Sequence, residues 1–429
     1  MKICAISFHC CPFSLLGGDG TGGMNVYLRE LCDVTTHFPG IKMDVFTRIQ
    51  NPKIKGIKYF SPQARVVHLK GGPESPMDRT RLYDFLPEFY QNMKSFVLRE
   101  REKYDILYSH YWLSGLVGER LKREFNLPLV HIFHTLAFMK ERFLKGDFGE
   151  HRNRLKAEQH LSLVADAIVS FSRDEMQNLA DEYGIPSSKI KIIHPGVNEK
   201  LFYPHSGNNV LHDMKRKTDD KILLYVGRID PAKGLTILIE AIGLLKEREE
   251  PLFNKLKLFV IGGGRRNRDL LRNREFIRIG ESIKEKGFSE KVVFLGSIEQ
   301  SHLRKYYSAA DVLVMPSLYE SFGLAAVEAL ACGTPVIVSQ IGGMRFVVQE
   351  GKNGFSFRPN GPSSLSRVLE YFCSHQHSLW KKEKIRRHVL ERFSWVNTVE
   401  ETYSFFQEIL GRKSSLTTIS QPGESPQPV

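Results

Sequence analysis

The sequence has no run of roughly 18 consecutive apolar residues, the length a helix needs to cross a bilayer. Cysteine is sparse. The six, Cys4, Cys10, Cys11, Cys32, Cys332 and Cys373, form no C-x-x-C and no Cys/His cluster of zinc-finger spacing. That argues against a disulfide framework or a zinc module and fits a reduced, cytosolic protein. No G-x-x-x-x-G-K-[ST] occurs, so a P-loop is unsupported. Ile261-Gly262-Gly263-Gly264 is not G-x-G-x-x-G, which leaves an NAD-dependent dehydrogenase poorly supported. A nucleic-acid partner is not expected, because neither a recognised binding module nor a basic–aromatic platform is present. No repeat of solenoid length occurs. Met1–Leu16 is mildly apolar, but His9 and Pro12 interrupt it and no small-residue cleavage site follows. It reads as a first strand rather than a signal peptide.

What is present is ordinary globular material with one bias. Apolar residues make up 41% and charged residues 25% of the 429, yet 61 Lys and Arg face 48 Asp and Glu, a formal +13. Such an excess suits an anionic small substrate, an anionic membrane or nucleic acid. Short apolar, β-branched runs alternate with amphipathic stretches. Strands are expected at Lys2–Phe8, Lys42–Arg48, Tyr104–Ser109, Pro128–His134 and Ala167–Ser172. The pattern restarts at Ile222–Val226, Leu256–Ile261, Val292–Leu295, Val312–Pro316 and Pro335–Ser339. The fold class is therefore α/β: two Rossmann-like domains whose parallel sheets face a central cleft. The divisions are 1–205, a polar linker 206–220, a second domain 221–385, a C-terminal helix 386–411 packing back on the first domain, and a disordered tail 412–429 rich in Ser, Thr, Pro and Gln.

Three constellations carry chemistry. Gly17-Gly18-Asp19-Gly20-Thr21-Gly22-Gly23 precedes a helix, and backbone N–H groups of such a loop can approach an anion closely. Arg228 and Lys233 lie five residues apart on a loop directly after a strand, where two cations can converge on one pyrophosphate. Glu320 sits on a loop ahead of a helix beginning near Gly323, and Glu328 lies within that small, apolar helix. An unpartnered carboxylate there is costly, so Glu328 should bind ribose hydroxyls or pair with a nearby Lys or Arg. The basic segment Arg265–Arg278 reads as a solvated helix face or a contact with something anionic.

In order, Arg228…Lys233, Glu320-x7-Glu328 and Gly333-Thr334-Pro335 resemble the signature of family 4 retaining glycosyltransferases of the GT-B fold. Gly22-Gly23-Met24-Asn25-Val26-Tyr27 and Arg392-Phe393-Ser394-Trp395 fit the same family, so the resemblance covers about residues 1 to 410. It implies that Arg228 and Lys233 neutralise the departing diphosphate and that Glu328 binds ribose. It further implies that Glu320 holds donor-sugar hydroxyls and that the backbone at Phe322, Gly323 and Leu324 contacts sugar and phosphate. Gly23 would offer its N–H to the diphosphate, Leu295 would lie at the nucleobase, and His110 would stand over the donor sugar. His134 is a second candidate at a neighbouring strand end. No cofactor or metal is implied, since cationic side chains replace a metal. The co-substrate is a nucleoside-diphosphate sugar, with UDP-sugar favoured by family frequency.

Several N-terminal stretches, Ser109-His110-Tyr111-Trp112-Leu113-Ser114-Gly115 and His134-Thr135-Leu136-Ala137 among them, are similar to the inositol-phosphate N-acetylglucosaminyltransferases and sucrose-phosphate synthases of the family. That implies a small phosphorylated polyol or sugar as acceptor, held by Asn25, Arg79, Thr135 and Arg154, with Arg79 standing where those enzymes have Lys. Alternatives are a lipid-linked or polysaccharide acceptor reached from an anionic membrane surface and, in another class, a nucleotide-sugar epimerase. The setting is cytoplasmic, with peripheral membrane contact left open and no oligomeric state indicated.

Overall fold

Runs of aliphatic and β-branched residues, each ended by glycine or a polar turn, build two separate sheets in the computed structural model. It describes residues 1–14, 22–143, 151–205, 217, 219–264, 271, 273–375 and 381–419. Most of the glycine-rich loop, most of the 206–220 linker and the first part of the basic segment lie outside the described residues.

The first sheet has eight strands: β1 (Lys2–Ile6), β2 (Lys42–Arg48), β3 (Gly56–Tyr59), β4 (Ala64–Leu69), β5 (Ile106–His110), β6 (Leu129–Ile132), β7 (Ala167–Ser170) and β8 (Ile190–Ile192). Their order is β3-β4-β2-β1-β5-β6-β7-β8, parallel throughout except for the β3–β4 hairpin. The helices are α1 (Gly23–Thr35), α2 (Leu86–Arg99), α3 (Tyr111–Phe125), α4 (Ala137–Phe143), α5 (His151–Val164) and α6 (Arg173–Tyr183). The second sheet has six parallel strands: β9 (Lys221–Val226), β10 (Leu256–Ile261), β11 (Val292–Gly296), β12 (Val312–Met315), β13 (Val336–Ser339) and β14 (Gly354–Phe357). Their order is β11-β10-β9-β12-β13-β14. Its helices are α7 (Leu235–Arg248), α8 (Glu250–Asn254), α9 (Arg274–Glu285), α10 (Gln300–Ala309), α11 (Leu324–Ala331), α12 (Met344–Val347) and α13 (Pro362–Ser374). Then come α14 (Lys382–Arg392) and α15 (Trp395–Ile419).

Both sheets are doubly wound. Central strands β5, β6, β7, β12 and β13 are buried along their whole length, as a parallel sheet covered on both faces requires. Strand order reverses between β1 and β5 in the first sheet and between β9 and β12 in the second. A crevice opens at such a reversal, beyond the strands' C-terminal ends.

Three boundaries differ from the sequence reading. The hairpin β3–β4, the short β8 and β14 were not expected; β3 is a mostly exposed GIKY edge strand with no apolar run to mark it, and β8 and β14 are short edge strands. The division at residue 385 falls inside α14, and the C-terminal helical region is two helices broken at Phe393–Ser394. The expected tail begins too early, because α15 runs to Ile419, past Gly411, with no proline until Pro422 to stop it. The last helix crosses back to the first sheet. Trp395 packs edge-on against Tyr27 of α1 at 5.4 Å, Phe406 against Tyr108 of β5 at 5.0 Å, and the Tyr403 and Thr35 hydroxyls are hydrogen-bonded. All six cysteines are free thiols and buried. Among the described residues no helix is long and apolar enough to cross a membrane.

Candidate active site

The turn after β9 carries both predicted cations to the crevice of the second sheet. Arg228 follows the strand, is 58% exposed, and pairs with Asp230 at 3.2 Å. Lys233 ends a short 3₁₀ turn and Gly234, at φ +67°, leads into α7. Lys233 Nζ donates to Glu320 Oε2 at 2.5 Å. The acid expected on the donor sugar is thus joined to a cation expected on the diphosphate, across the β9–β12 reversal. Arg228 is the freer cation.

Two neighbouring loops enclose this turn. Gly262 (φ +140°) follows β10, and a Cβ there would come within 1.8 Å of Gly227 O, so only glycine permits the approach. Gly262 N–H donates to Gly296 O at 2.8 Å and Gly264 N–H to Ser297 Oγ at 3.0 Å, which ties the turn after β11, with Leu295, to the same wall. The Gly262–Gly264 loop is part of the site that sequence reasoning set aside. Its signal was three glycines directly after a strand.

Glu328 in α11 is 8% exposed. Among the described residues it has no cationic partner. Gln300 Nε2 donates to Oε1 at 3.0 Å and Tyr307 OH to Oε2 at 2.9 Å. Burial pushes the carboxyl up to about 7, with Glu30 of α1 adding repulsion and the two donors acting against it. The salt-bridge alternative is not what the fold builds. Gly323 (φ +99°) caps α11, and Leu324 Cδ1 lies 3.3 Å from where a Cβ on Gly23 would stand. Two helix N-termini, one from each sheet, therefore meet at the cleft. Phe322 is 2% exposed and packs on Phe393 and His194, so only its backbone is available to a ligand.

Across the cleft the first sheet supplies a cationic, hydrogen-bonded corner. Arg154 of α5 is 2% exposed. Its Nε donates to Glu158 at 2.6 Å, Nη1 to Tyr111 OH at 3.0 Å and Nη2 to Thr135 Oγ1 at 2.9 Å. Its face also covers the Tyr111 ring at 4.7 Å. His9 lies against the other side of that corner, its ring 4.6 Å from Tyr111 and its buried Nδ1 without a partner among the described residues. Burial and the nearby charges of Arg79, His134, Arg154 and Arg48 hold its pKa well below the ordinary histidine value. Tyr111 (φ +75°) and His134 (φ +61°) are non-glycine residues in left-handed backbone at successive strand ends. Such strain persists only where surrounding structure enforces it and gathers at functional sites. His9 and Tyr111 were not among the expected site residues; the strand-end placement of both was readable, but their convergence with Arg154 was not.

Two expected residues are placed differently. Asn25 is spent inside its own helix start, its Oδ1 accepting from Gly22 N–H at 3.1 Å and its Nδ2 donating to Cys11 O at 3.2 Å. It caps α1 rather than presenting an amide to an acceptor. His110 is fully buried, its Nδ1 on His134 Nε2 at 3.0 Å, because it is the last residue of a strand covered on both faces. His134 stands closer to the cleft, since its carbonyl accepts from Ser321 Oγ of the second sheet's loop at 2.5 Å. Leu136 N–H likewise donates to Tyr319 OH at 2.9 Å. The loop bearing Glu320 thus grips the loop bearing Thr135.

The N-terminal half, residues 21–201, matches the model for Glycosyltransferase Family 4, and residues 211–388 match that for Glycosyl transferases group 1. The D-inositol 3-phosphate glycosyltransferase of Streptosporangium roseum is 33% identical over 373 residues, covering 86% of this chain and 85% of that one. That of Corynebacterium glutamicum is 30% identical over 423 residues, covering 96% and 98%. Among solved structures, sucrose-phosphate synthase from Thermosynechococcus elongatus superposes with a TM-score of 0.84 at 30% identity, covering 96% of this chain and all of that one. Anabaena HepE in complex with UDP-glucose shares the fold, with a TM-score of 0.70 at 18% identity over 97% of this chain and 100% of the other. With two matching family models in the expected order, relatives similar along nearly their whole length and two facing doubly wound sheets, the chain belongs to the group 1 glycosyltransferases with a family 4 N-terminal half, and it is a glycosyltransferase enzyme of the GT-B fold.

Proposed function

We propose that this enzyme moves a hexosyl or N-acetylhexosaminyl group from a UDP-sugar to a hydroxyl of a small phosphorylated polyol or sugar, with an inositol phosphate as the first acceptor to test. The observation that carries the reading is the pairing of two charged corners across one cleft. Arg228 and Lys233 stand on the donor side, and Arg154 with Tyr111 and Thr135 on the other, joined by the Ser321–His134 and Tyr319–Leu136 hydrogen bonds. The names of the relatives, inositol 3-phosphate and sucrose-phosphate enzymes, support a phosphorylated acceptor. The UDP-glucose complex of HepE supports the uridine donor.

In this reading Arg228, Lys233 and the helix N-termini at Gly23 and at Gly323–Leu324 receive the diphosphate. Leu295 borders the base, and Glu328 accepts from the ribose hydroxyls. Glu320 and His134 hold the donor sugar, with His110 behind His134. The acceptor phosphate sits against Arg154, Thr135 and Tyr111, with Arg79 at the rim. The bond from the sugar C1 to the diphosphate oxygen breaks with its electron pair going to the diphosphate, while the acceptor oxygen bonds to C1 on the same face. The acceptor's hydroxyl proton passes to the departing phosphate oxygen. Pre-organised cations stabilise the charge that develops there. Six buried free thiols support action in a reducing, cytoplasmic setting.

The test incubates the enzyme with UDP-N-acetylglucosamine or UDP-glucose and, in parallel, D-inositol 3-phosphate, a hexose 6-phosphate or free inositol. UDP release should depend on a phosphorylated acceptor. Equal turnover with free inositol would overturn the acceptor reading. Conversion of the donor sugar with no acceptor present would favour the epimerase alternative. Replacing Lys233 with Ala should lower kcat by roughly 100-fold or more, the scale on which loss of one transition-state charge partner is felt.

A further inference from the structure

Arg48 is a buried cation with no counter-ion among the described residues. It is the last residue of β2 and is 2% exposed. Its backbone N–H donates to Phe8 O at 3.1 Å, which seats it beside His9 at the end of β1. Gln50 Nε2 donates to His9 O at 2.9 Å from the same chain end. Among the described residues the guanidinium reaches only backbone carbonyls: Nη1 donates to Pro73 O at 2.7 Å and Ile49 O at 3.4 Å, and Nη2 to Ser75 O at 2.6 Å. Its Nε is buried and has no partner among the described residues. Burial alone lowers its pKa, with no carboxylate acting against the shift.

The contrast with other sheltered arginines is direct. Arg65 has Asp44 at 2.8 Å and Arg154 has Glu158 at 2.6 Å. A guanidinium stays charged at any pH a protein meets, so Arg48 is a permanent positive charge taken from water without a paired anion. Carbonyl dipoles offset part of that cost. The rest is tolerated where an anion arrives from outside, and the site at hand is the His9 corner. Three guanidinium groups, of Arg79, Arg154 and Arg48, lie close enough to His9 to disfavour its protonation. Arg154 is already neutralised by Glu158 and Arg79 is partly exposed to solvent, so Arg48 is the buried charge behind the pocket without an anion among the described residues.

We propose that Arg48 is a specificity-determining residue that sets the charge preference of the acceptor pocket, favouring a phosphate monoester dianion over a neutral polyol through its unpaired buried charge. It acts through the field it places on the His9–Tyr111–Arg154 corner. Its bonds to the 73–75 loop keep that charge in place. This rests on the reading of that corner as the acceptor site.

The experiment measures inorganic phosphate binding by calorimetry and turnover with D-inositol 3-phosphate against free inositol, for wild type, Arg48→Lys and Arg48→Met. UDP binding serves as the control that the second sheet is intact. Arg48→Met should weaken phosphate binding by about tenfold and collapse the preference for the phosphorylated acceptor, while turnover with free inositol changes little. Arg48→Lys, which keeps the charge and loses the forked carbonyl bonds, should retain most of the preference. Equal losses in the Lys and Met variants would show that Arg48 only holds the 73–75 loop, and an unchanged Met variant would show that its charge is not felt; either overturns the inference. Should Arg48→Met not fold, Arg48→Gln is compared with Arg48→Lys by the same criterion. If wild type itself neither binds phosphate nor prefers the phosphorylated acceptor, the acceptor reading fails first and the inference falls with it. If wild type does both and the variants do not separate, only the role of Arg48 fails.

Discussion

Glu328 shows how a residue's chemistry can be legible while its state is not. A lone carboxylate in a small, apolar helix signals a ligand, and that much is sequence. Its partners, Gln300 and Tyr307, come from another helix and favour the ionised form, but burial outweighs them and leaves it neutral below about 7 and ionised above. Ribose hydroxyls donate best to the ionised form. UDP affinity should therefore strengthen as pH rises through about 7, by roughly tenfold if one charge-assisted hydrogen bond is gained. Glu328→Gln should flatten that rise, as calorimetry across the pH range will read; parallel profiles for the two proteins would remove Glu328 from the ribose. Asn25 is the opposite case. Its position in a family-like stretch pointed to a ligand, yet the nearest unsatisfied group is the N–H of Gly22, three residues away, and helix capping takes the side chain first. His110 was readable as a strand-end histidine, but whether a strand-end side chain reaches the cleft depends on what packs over it.

At the scale of elements, strand–helix alternation was enough to foresee two parallel sheets, because strands covered on both faces must be apolar throughout. Edge elements escaped for the same reason. β3 and β8 lie at the two rims of the first sheet, where burial no longer dictates composition. The last helix, α15, owes its place to contacts far away in sequence. Trp395 is 4% exposed and meets Tyr27 edge to ring. Trp395→Ala should cost about 3–5 kcal/mol, the range for deleting a large buried aromatic. Urea unfolding will measure it, and a loss well under about 1 kcal/mol would mean that α15 is held by its other contacts.

For the whole molecule, the cleft exists only because two domains face each other. The hydroxyls of Tyr319 and Ser321 bond backbone atoms of Leu136 and His134 across it. Each bond contributes about 1 kcal/mol, so Tyr319→Phe with Ser321→Ala should favour an open form and raise UDP-sugar hydrolysis relative to transfer, since closure excludes water. Unchanged partition and an unchanged scattering profile would argue against that role. Buried ionisable groups also set a global pH response. Glu30, Glu175 and Glu328 are all raised by burial from 4.5 to about 7, so the stability they permit is full below 4.5 and lost as pH rises through about 7. His9, His110, His131 and His134 are held below 6.5 by burial, so theirs is full above 6.5 and lost as pH falls. With four histidines against three glutamates, Tm should rise from about 4.5, peak at about 6.5 and fall above it; a Tm that climbs steadily through neutral pH would contradict the balance. The sequence by itself determined the fold class, the cation pair Arg228 and Lys233, and the two glutamates eight residues apart, because periodicity and short-range spacing are properties of the chain. The tertiary structure decided the rest: that Lys233 and Glu320 form one pair, that His134 rather than His110 nears the cleft, and that His9, Tyr111, Thr135 and Arg154 form a corner with Arg48 behind it. Those residues are brought together by strand order, and strand order follows from packing across the whole sheet rather than from any local run of residues.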